Sequence, residues 1–221
     1  MSVFDILVNY HPAFLKGLYV TLQLAFIIWA CGIVLGSALG LAGNRYKWSV
    51  GMPSRIISFL LSGIPILVFL FWLHYPAQAM FDLVIDPFYT AALTLSIVNI
   101  FAVSDLIRGI LQDFPKQYLI AAKVTGLSRK QTIFSIQLPL ILRQAIPSLL
   151  LLQVTMLHTT LFASLISVEE IFRVAQRINA QIYRPVEIYT ALGLFFLAVS
   201  LPINGFAFWL KNRFTRNLSE Q

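Results

Sequence analysis

The stretch Tyr118–Pro139, YLIAAKVTGLSRKQTIFSIQLP, is a polar, basic interruption in an otherwise membrane-like chain. Ala121 and Ala122 are followed by Gly126, and ten residues later by Ile136-Gln137-Leu138-Pro139. This order predicts a short helix, a turn at Gly126, a second short helix and a stop at the proline. Glycine permits a left-handed turn that a residue with a Cβ resists. Ala121 and Ala122 would let a partner approach closely, and Lys116, Lys123, Arg129 and Lys130 offer charge to an acidic rim. Two readings follow: a docking surface for another protein, or an amphipathic loop lying on lipid headgroups.

Working outward, composition sets the class. The chain has 221 residues, 58% hydrophobic and only 11% charged, with a mean hydropathy of +0.80. Soluble domains carry about 25% charged residues, so this is an integral membrane protein. A bilayer core of about 30 Å needs about 20 apolar helical residues. Five stretches lack Asp, Glu, Lys and Arg: Gly17–Gly43, Ile56–Phe81, Phe88–Ser104, Gln144–Val168 and Ile188–Leu210. The third extends through Asp105 to Ile107. The expected fold is all-α, with five transmembrane helices in one domain, residues 1–221, and a cytoplasmic helix-turn-helix between spans three and four. A sixth crossing would need part of Ile166–Pro185 to dip back into the membrane. The first span is too long for a signal-peptide core, and no small-residue cleavage site closes it. Cys31, the single cysteine, excludes an intrachain disulfide and a multi-cysteine metal site.

Charge orients the spans. Arg45, Lys47 and Arg55 follow span one. Arg108, Lys116, Lys123, Arg129, Lys130 and Arg143 lie around the interruption, and Lys211, Arg213 and Arg216 close the chain. Twelve of the 16 basic residues thus share one side. The positive-inside rule makes that side cytoplasmic, with the N-terminus out and the C-terminus in. The net charge of +7 then reflects topology and attraction to anionic lipid. It requires no nucleic-acid partner.

At these residues the chain resembles a known family. Ala121-Ala122, Gly126 and Ile136–Pro139 are similar to the Glu-Ala-Ala loop of bacterial ABC importer permeases, which reads Glu-Ala-Ala, three residues, Gly, nine residues, Ile-x-Leu-Pro. Gly17–Leu22 resembles the opening of span one in the polar amino acid (histidine/glutamine/arginine/opine) group. Ser62-Gly63-Ile64-Pro65 stands for its Arg-Gly-Thr-Pro, Asp105–Gly109 for its Glu-Ile-x-Arg-Gly, and Lys116-Gln117 for its Gly-Gln. Arg143 through Pro147 matches its basic-to-Pro run, and His158–Leu161 its Asp-Thr-Ser-Leu. The ordered set spans roughly residues 17 to 215. Ile120 replaces the loop's Glu, Ser62 an Arg, and His158 an Asp.

The resemblance implies a type I ABC importer permease in the bacterial inner membrane, moving a small polar solute, an amino acid or a derivative, by alternating access. It implies two copies of an ATP-binding subunit, a second permease and an external solute-binding protein. The Ile120 departure favours an unlike second permease that carries the stronger docking loop. The residues it implies for docking the ATP-binding subunit are Leu119, Ile120, Ala121, Ala122, Lys123, Gly126, Leu127, Ser128 and Arg129. This chain has no G-x-x-x-x-G-K-[ST] loop and no Gly-Lys pair at all, so ATP-Mg belongs to the partner subunit. No cofactor is expected in this chain.

Polar residues inside spans mark a candidate path, because lipid penalises them. They are Asn99, Asp105, His158, Thr159, Thr160 and Ser164. Each has a structural alternative. Asp105 and Arg108 can pair on one helix face, threonines can bond back to carbonyls, and a histidine can bridge helices. Glu169 and Glu170 are possible outer contacts for solute or binding protein; a solvated helix start also explains them. Gly32, Gly36 and Gly40 recur every four residues and predict close helix packing. Pro65, Pro147 and Pro202 predict kinks. An intramembrane hydrolase finds little support, with no G-x-S-x-G and three scattered histidines at 11, 74 and 158. A channel or carrier working alone would not need the Ala-Ala-x-x-x-Gly element.

Overall fold

The computed structural model describes residues 2–219, and side chains through residue 214. Arg216, one of the basic residues counted above, lies outside the described side chains. Helix α1 is Val3–Arg45, α2 Lys47–Gly63, α3 Ile66–Met80, α4 Pro87–Gln112 and α5 Lys116–Val124. Then come α6 Arg129–Ile166, α7 Ile171–Ile182 and α8 Pro185–Phe214. Among the described residues, α1, α4, α6 and α8 are long and apolar enough to cross a membrane. The bent pair α2–α3 makes a fifth crossing if it is one span.

The second span is not continuous. Ile64 and Pro65 are both extended, with φ/ψ of −107/127° and −56/133°. A proline pushes the residue before it out of the α region, and its missing N–H removes a helical bond. The two halves therefore meet at 98°, a sharper break than a kink.

Helix α4 is the central post. Its Ala91, Ala92 and Leu95 pack with Leu24 and Ile28 of α1, Leu70 of α3, and Met156, Ala163 and Ile166 of α6. Nearer its C-terminal end, Val103 and Ile107 meet Ala145 of α6. The glycine stripe of α1 lies directly on α4, as its spacing predicts. A Cβ at Gly36 would sit 2.7 Å from both the Ile100 carbonyl and Val103 Cβ, and one at Gly40 would sit 2.8 Å from the Ser104 carbonyl. Backbone cannot retreat as a side chain can. We therefore expect Gly36→Val to lower stability by about 1–3 kcal/mol or more. Thermal unfolding in detergent checks this. Gly193→Ala is the control, because a Cβ there meets nothing within 4 Å. Equal melting of the two variants would refute the packing role.

Helix α7 is not a sixth span. Twelve residues reach about 18 Å, short of the bilayer core. Ile171, Val174, Ala175 and Ile178 repeat at i, i+3, i+4, i+7 and are buried, the pattern of an amphipathic helix lying on a core. They pack with Ile6 of α1 and Ile188 and Leu192 of α8. Gly17 makes this seat possible, since a Cβ there would sit 3.0 Å from Ile171 Cα.

Candidate functional site

Helix α5 and the start of α6 form the predicted hairpin. Gly126 has φ +74°, the left-handed conformation its place demanded. The Leu127 N–H donates to the Ala122 carbonyl at 3.0 Å and the Gly126 N–H to the Lys123 carbonyl at 3.2 Å. These are the paired bonds of a Schellman C-cap. Thr125 Oγ1 donates to the Ala121 carbonyl at 3.0 Å and Ala122's at 3.1 Å. Beyond the turn, Ser128 Oγ accepts from the Gln131 N–H at 3.3 Å, and Gln131 Oε1 accepts from the Ser128 N–H at 2.9 Å. That reciprocal capping box starts α6. The turn is held by its own bonds, so its outer surface is preorganised.

The stop expected at Pro139 is absent. Pro139 does not stop the second helix, which runs on to Ile166 as α6. A wider turn just before it, Ile133–Gln137, lets the Leu138 N–H reach back to the Ile133 carbonyl. This step of five residues accommodates the proline that follows.

Outside the spans the hairpin shows apolar side chains. Val124 is 83% exposed, Phe134 67% and Ile120 64%, with Leu127 partly covered. Lys123, Ser128 and Arg129 are exposed beside them, and Leu119 is half-buried. Of the two alanines only Ala121 is open. Ala122 is buried and serves the turn from within. Val124, which adjoins Lys123 and lies one turn on from Ile120, and Phe134, five residues beyond Arg129, were not among the expected docking residues.

The polar span residues fall into two groups. Asn99, Thr159, Thr160 and Ser164 are buried within this single chain. Asn99 Nδ2 donates to the Ile28 carbonyl and to Gln153 Oε1, both at 2.9 Å, tying α1, α4 and α6 together. The hydroxyls of Thr159, Thr160 and Ser164 each donate at 2.7 Å to a carbonyl three residues earlier. Asp105 and His158 differ. The Asp105 carboxylate pairs with Arg108 and accepts from Ser58 Oγ, yet its side chain stays 43% exposed. Arg108 also donates to Ser54 Oγ at 2.9 Å. His158 Nε2 meets Ser200 Oγ at 2.8 Å across α6 and α8 while its ring remains exposed. Gln144, Thr155 and His158 are exposed, and Ser148 half-exposed, on α6. Spacings of four, seven and three residues put all four on one face of a helix with 3.6 residues per turn.

Glu169 and Glu170 separate as well. Glu169 is exposed and pairs with Arg177 at 2.8 Å. Glu170 is fully buried, so the expected solvated helix start is corrected for that residue. Its carboxylate accepts from the Phe172 N–H at 2.9 Å and the Arg173 N–H at 2.8 Å, capping α7. Burial pushes this carboxyl up to about 7, against the pull of those two N–H groups and the Thr21 hydroxyl.

A chain of broken and continuous apolar helices with a self-bonded basic hairpin is an integral membrane protein with a structured surface outside its spans. Residues 32–216 match the model for the binding-protein-dependent transport system inner membrane component, and the chain belongs to that family. It is similar to the glutamine transport system permease protein GlnP of Escherichia coli K12, 29% identical over 87% of this chain and 89% of GlnP. It is similar to the octopine transport system permease protein OccM of Rhizobium meliloti, 30% identical over 85% of this chain and 80% of OccM. The L-cystine transport system permease protein TcyB of Bacillus subtilis is 32% identical over 78% and 74%. In fold, a chain of an amino acid ABC transporter solved with histidines superposes with a TM-score of 0.84, at 22% identity, covering 95% of this chain and 98% of that one. A chain of the MetNI methionine ABC transporter gives 0.74 at 14% identity, over 93% and 98%. The chain is thus an inner-membrane transport subunit with the ABC importer permease fold.

Proposed function

We propose that this chain is one of two permeases in an ATP-driven importer for a polar amino acid or an amino-acid derivative. The observation that carries the reading is the hairpin: an apolar patch of Ile120, Val124 and Leu127, rimmed by Lys123 and Arg129, on a turn locked by its own bonds. Such a patch outside a span asks for a protein partner. The basic end of the spans faces the cytoplasm, where each of two ATP-binding subunits holds ATP-Mg and docks on one permease. A solute-binding protein delivers solute to the opposite face. The names of the relatives, glutamine, octopine and L-cystine permeases, support the solute class.

The stripe Gln144, Ser148, Thr155 and His158 supports a path along α6. Polar groups on an open helix face do not belong against lipid; a second permease across a polar cavity gives them a place. His158 and Asp105 line this path, while Asn99, Thr159, Thr160 and Ser164 hold the helices that shape it. The apolar Ile120 favours an unlike second permease. Motor closure pushes the hairpin, and α6, continuous with it, tilts the stripe.

The test is purification in mild detergent from native membranes, with co-purifying chains identified and ATP hydrolysis assayed. A partner with a phosphate loop is expected, with a second, different permease. A chain that purifies alone and without ATPase activity would overturn the reading in favour of a lone channel or carrier.

A further inference from the structure

A second feature adjoins the Asp105–Arg108 pair, away from the hairpin. Where α1 ends and α2 begins, a groove of about 590 Å³ opens between α2 and the C-terminal end of α4. Lys47 and Arg55 stand at it, with the Arg108 guanidinium in its wall, and no carboxylate is among its described lining residues. Arg55 is held in place by Gln112 Oε1 at 2.9 Å. Arg108 is buried and already paired with Asp105, so Lys47 and Arg55 supply the free positive field. The apolar side is as ordered as the charged one. Met52, Ile56 and Phe59 repeat at i, i+4, i+7 on one open face of α2, running alongside Arg55 and on past it. Phe59 is 76% exposed, and Trp48 at the mouth 83%, an indole placed as membrane-interface tryptophans are.

Basic groups at the end of a span, with an apolar track leading into the membrane, match one molecule with both properties. We infer that this groove binds an anionic phospholipid, its phosphate between Lys47 and Arg55 and an acyl chain along Met52, Ile56 and Phe59. A free phosphate would use the charges and leave the apolar track bare. A second permease seated here would have to bury Lys47 and Arg55 at a cost. The lipid reading does not depend on what the protein transports. Each basic residue near an anionic surface favours binding by about fivefold.

The experiment is native mass spectrometry of the purified transporter, with all co-purifying subunits, after exchange into equal phosphatidylglycerol and phosphatidylcholine. Retained lipid should be enriched in phosphatidylglycerol by about tenfold or more. Lys47→Ala with Arg55→Ala should bring the ratio towards parity, while Lys47→Arg with Arg55→Lys keeps it. Phe59→Gln should weaken retention of both lipids. Unchanged subunit composition across the variants controls for folding. Equal retention of both lipids by the unaltered protein would overturn the proposal, as would enrichment that survives the double alanine change. Displacement of the lipid by glycerol phosphate at equal concentration would reduce the site to a phosphate site and also overturn it. So would a cross-link from Trp48→Cys to a second permease in native membranes.

Discussion

Gly126→Arg is expected to cut ATP-driven uptake by at least about tenfold and to separate the chain from its proposed ATP-binding partner, while the protein still reaches the membrane folded. The reason lies in two facts about one residue. A Cβ at Gly126 would meet nothing within 4 Å, so the substitution creates no clash inside the chain. Its φ of +74° does strain any side-chain-bearing residue, by roughly 1–2 kcal/mol. That cost falls on a solvent-exposed turn and leaves the helical core intact. The added bulk and charge project from the surface beside Ile120 and Val124, where the motor is proposed to sit. Gly126→Asn separates the two effects, because asparagine tolerates the left-handed region and adds little volume. Asn should retain most uptake and partner binding, and Arg should lose at least about tenfold in both, or about 1.4 kcal/mol. Uptake by reconstituted vesicles and recovery of the partner in pull-down give the two readouts. Full transport by the Arg variant would remove the hairpin from the coupling path.

Much of this was legible in the sequence, because local chemistry wrote it. Gly126 after Ala121-Ala122 announced a left-handed C-cap, and its φ agrees. The four-residue glycine period announced a flat helix face, and α4 lies on it. Partners distant in sequence were not legible. Asn99 finds Gln153, His158 finds Ser200, and Asp105 finds Ser58, separations of 54, 42 and 47 residues that no local period encodes. Which side of a span faces its own chain was hidden for the same reason. Thr159 and Thr160 adjoin His158 in sequence, yet they are buried and it is open. Pro139 misled because proline ends most helices in water; in an apolar helix, a wider turn such as Ile133–Gln137 can take it up. Glu170 looked like surface because it follows Glu169. Burial came from α1, whose Gly17 and Thr21 bring the two helices together.

That buried carboxyl gives the second large effect. Glu170 caps α7 through the N–H groups of Phe172 and Arg173, and Thr21 Oγ1 on α1 accepts from the Ile171 N–H at 3.1 Å. Burial raises the carboxyl from an ordinary 4.5 to about 7, with the negative charge of Glu169 adding to the rise. In the folded protein Glu170 thus keeps a proton that the unfolded chain releases as pH rises through the carboxylate range. Its contribution is fully present below about pH 4.5 and is lost as pH climbs through about 7. The size is on the order of 3 kcal/mol. Melting of the purified protein should therefore fall from pH 5 to pH 8. Glu169, itself paired with Arg177 at 2.8 Å, is the charged neighbour that acts on this carboxyl. Glu170→Gln keeps a neutral acceptor for one N–H and should flatten the profile near the level of the protonated carboxyl. Glu170→Ala removes the cap as well, and should lie lower by about 1–2 kcal/mol at every pH. A profile in which Gln and Glu fall together would assign the slope to another group, and a flat profile for the unaltered protein would mean that Glu170 is ionised throughout.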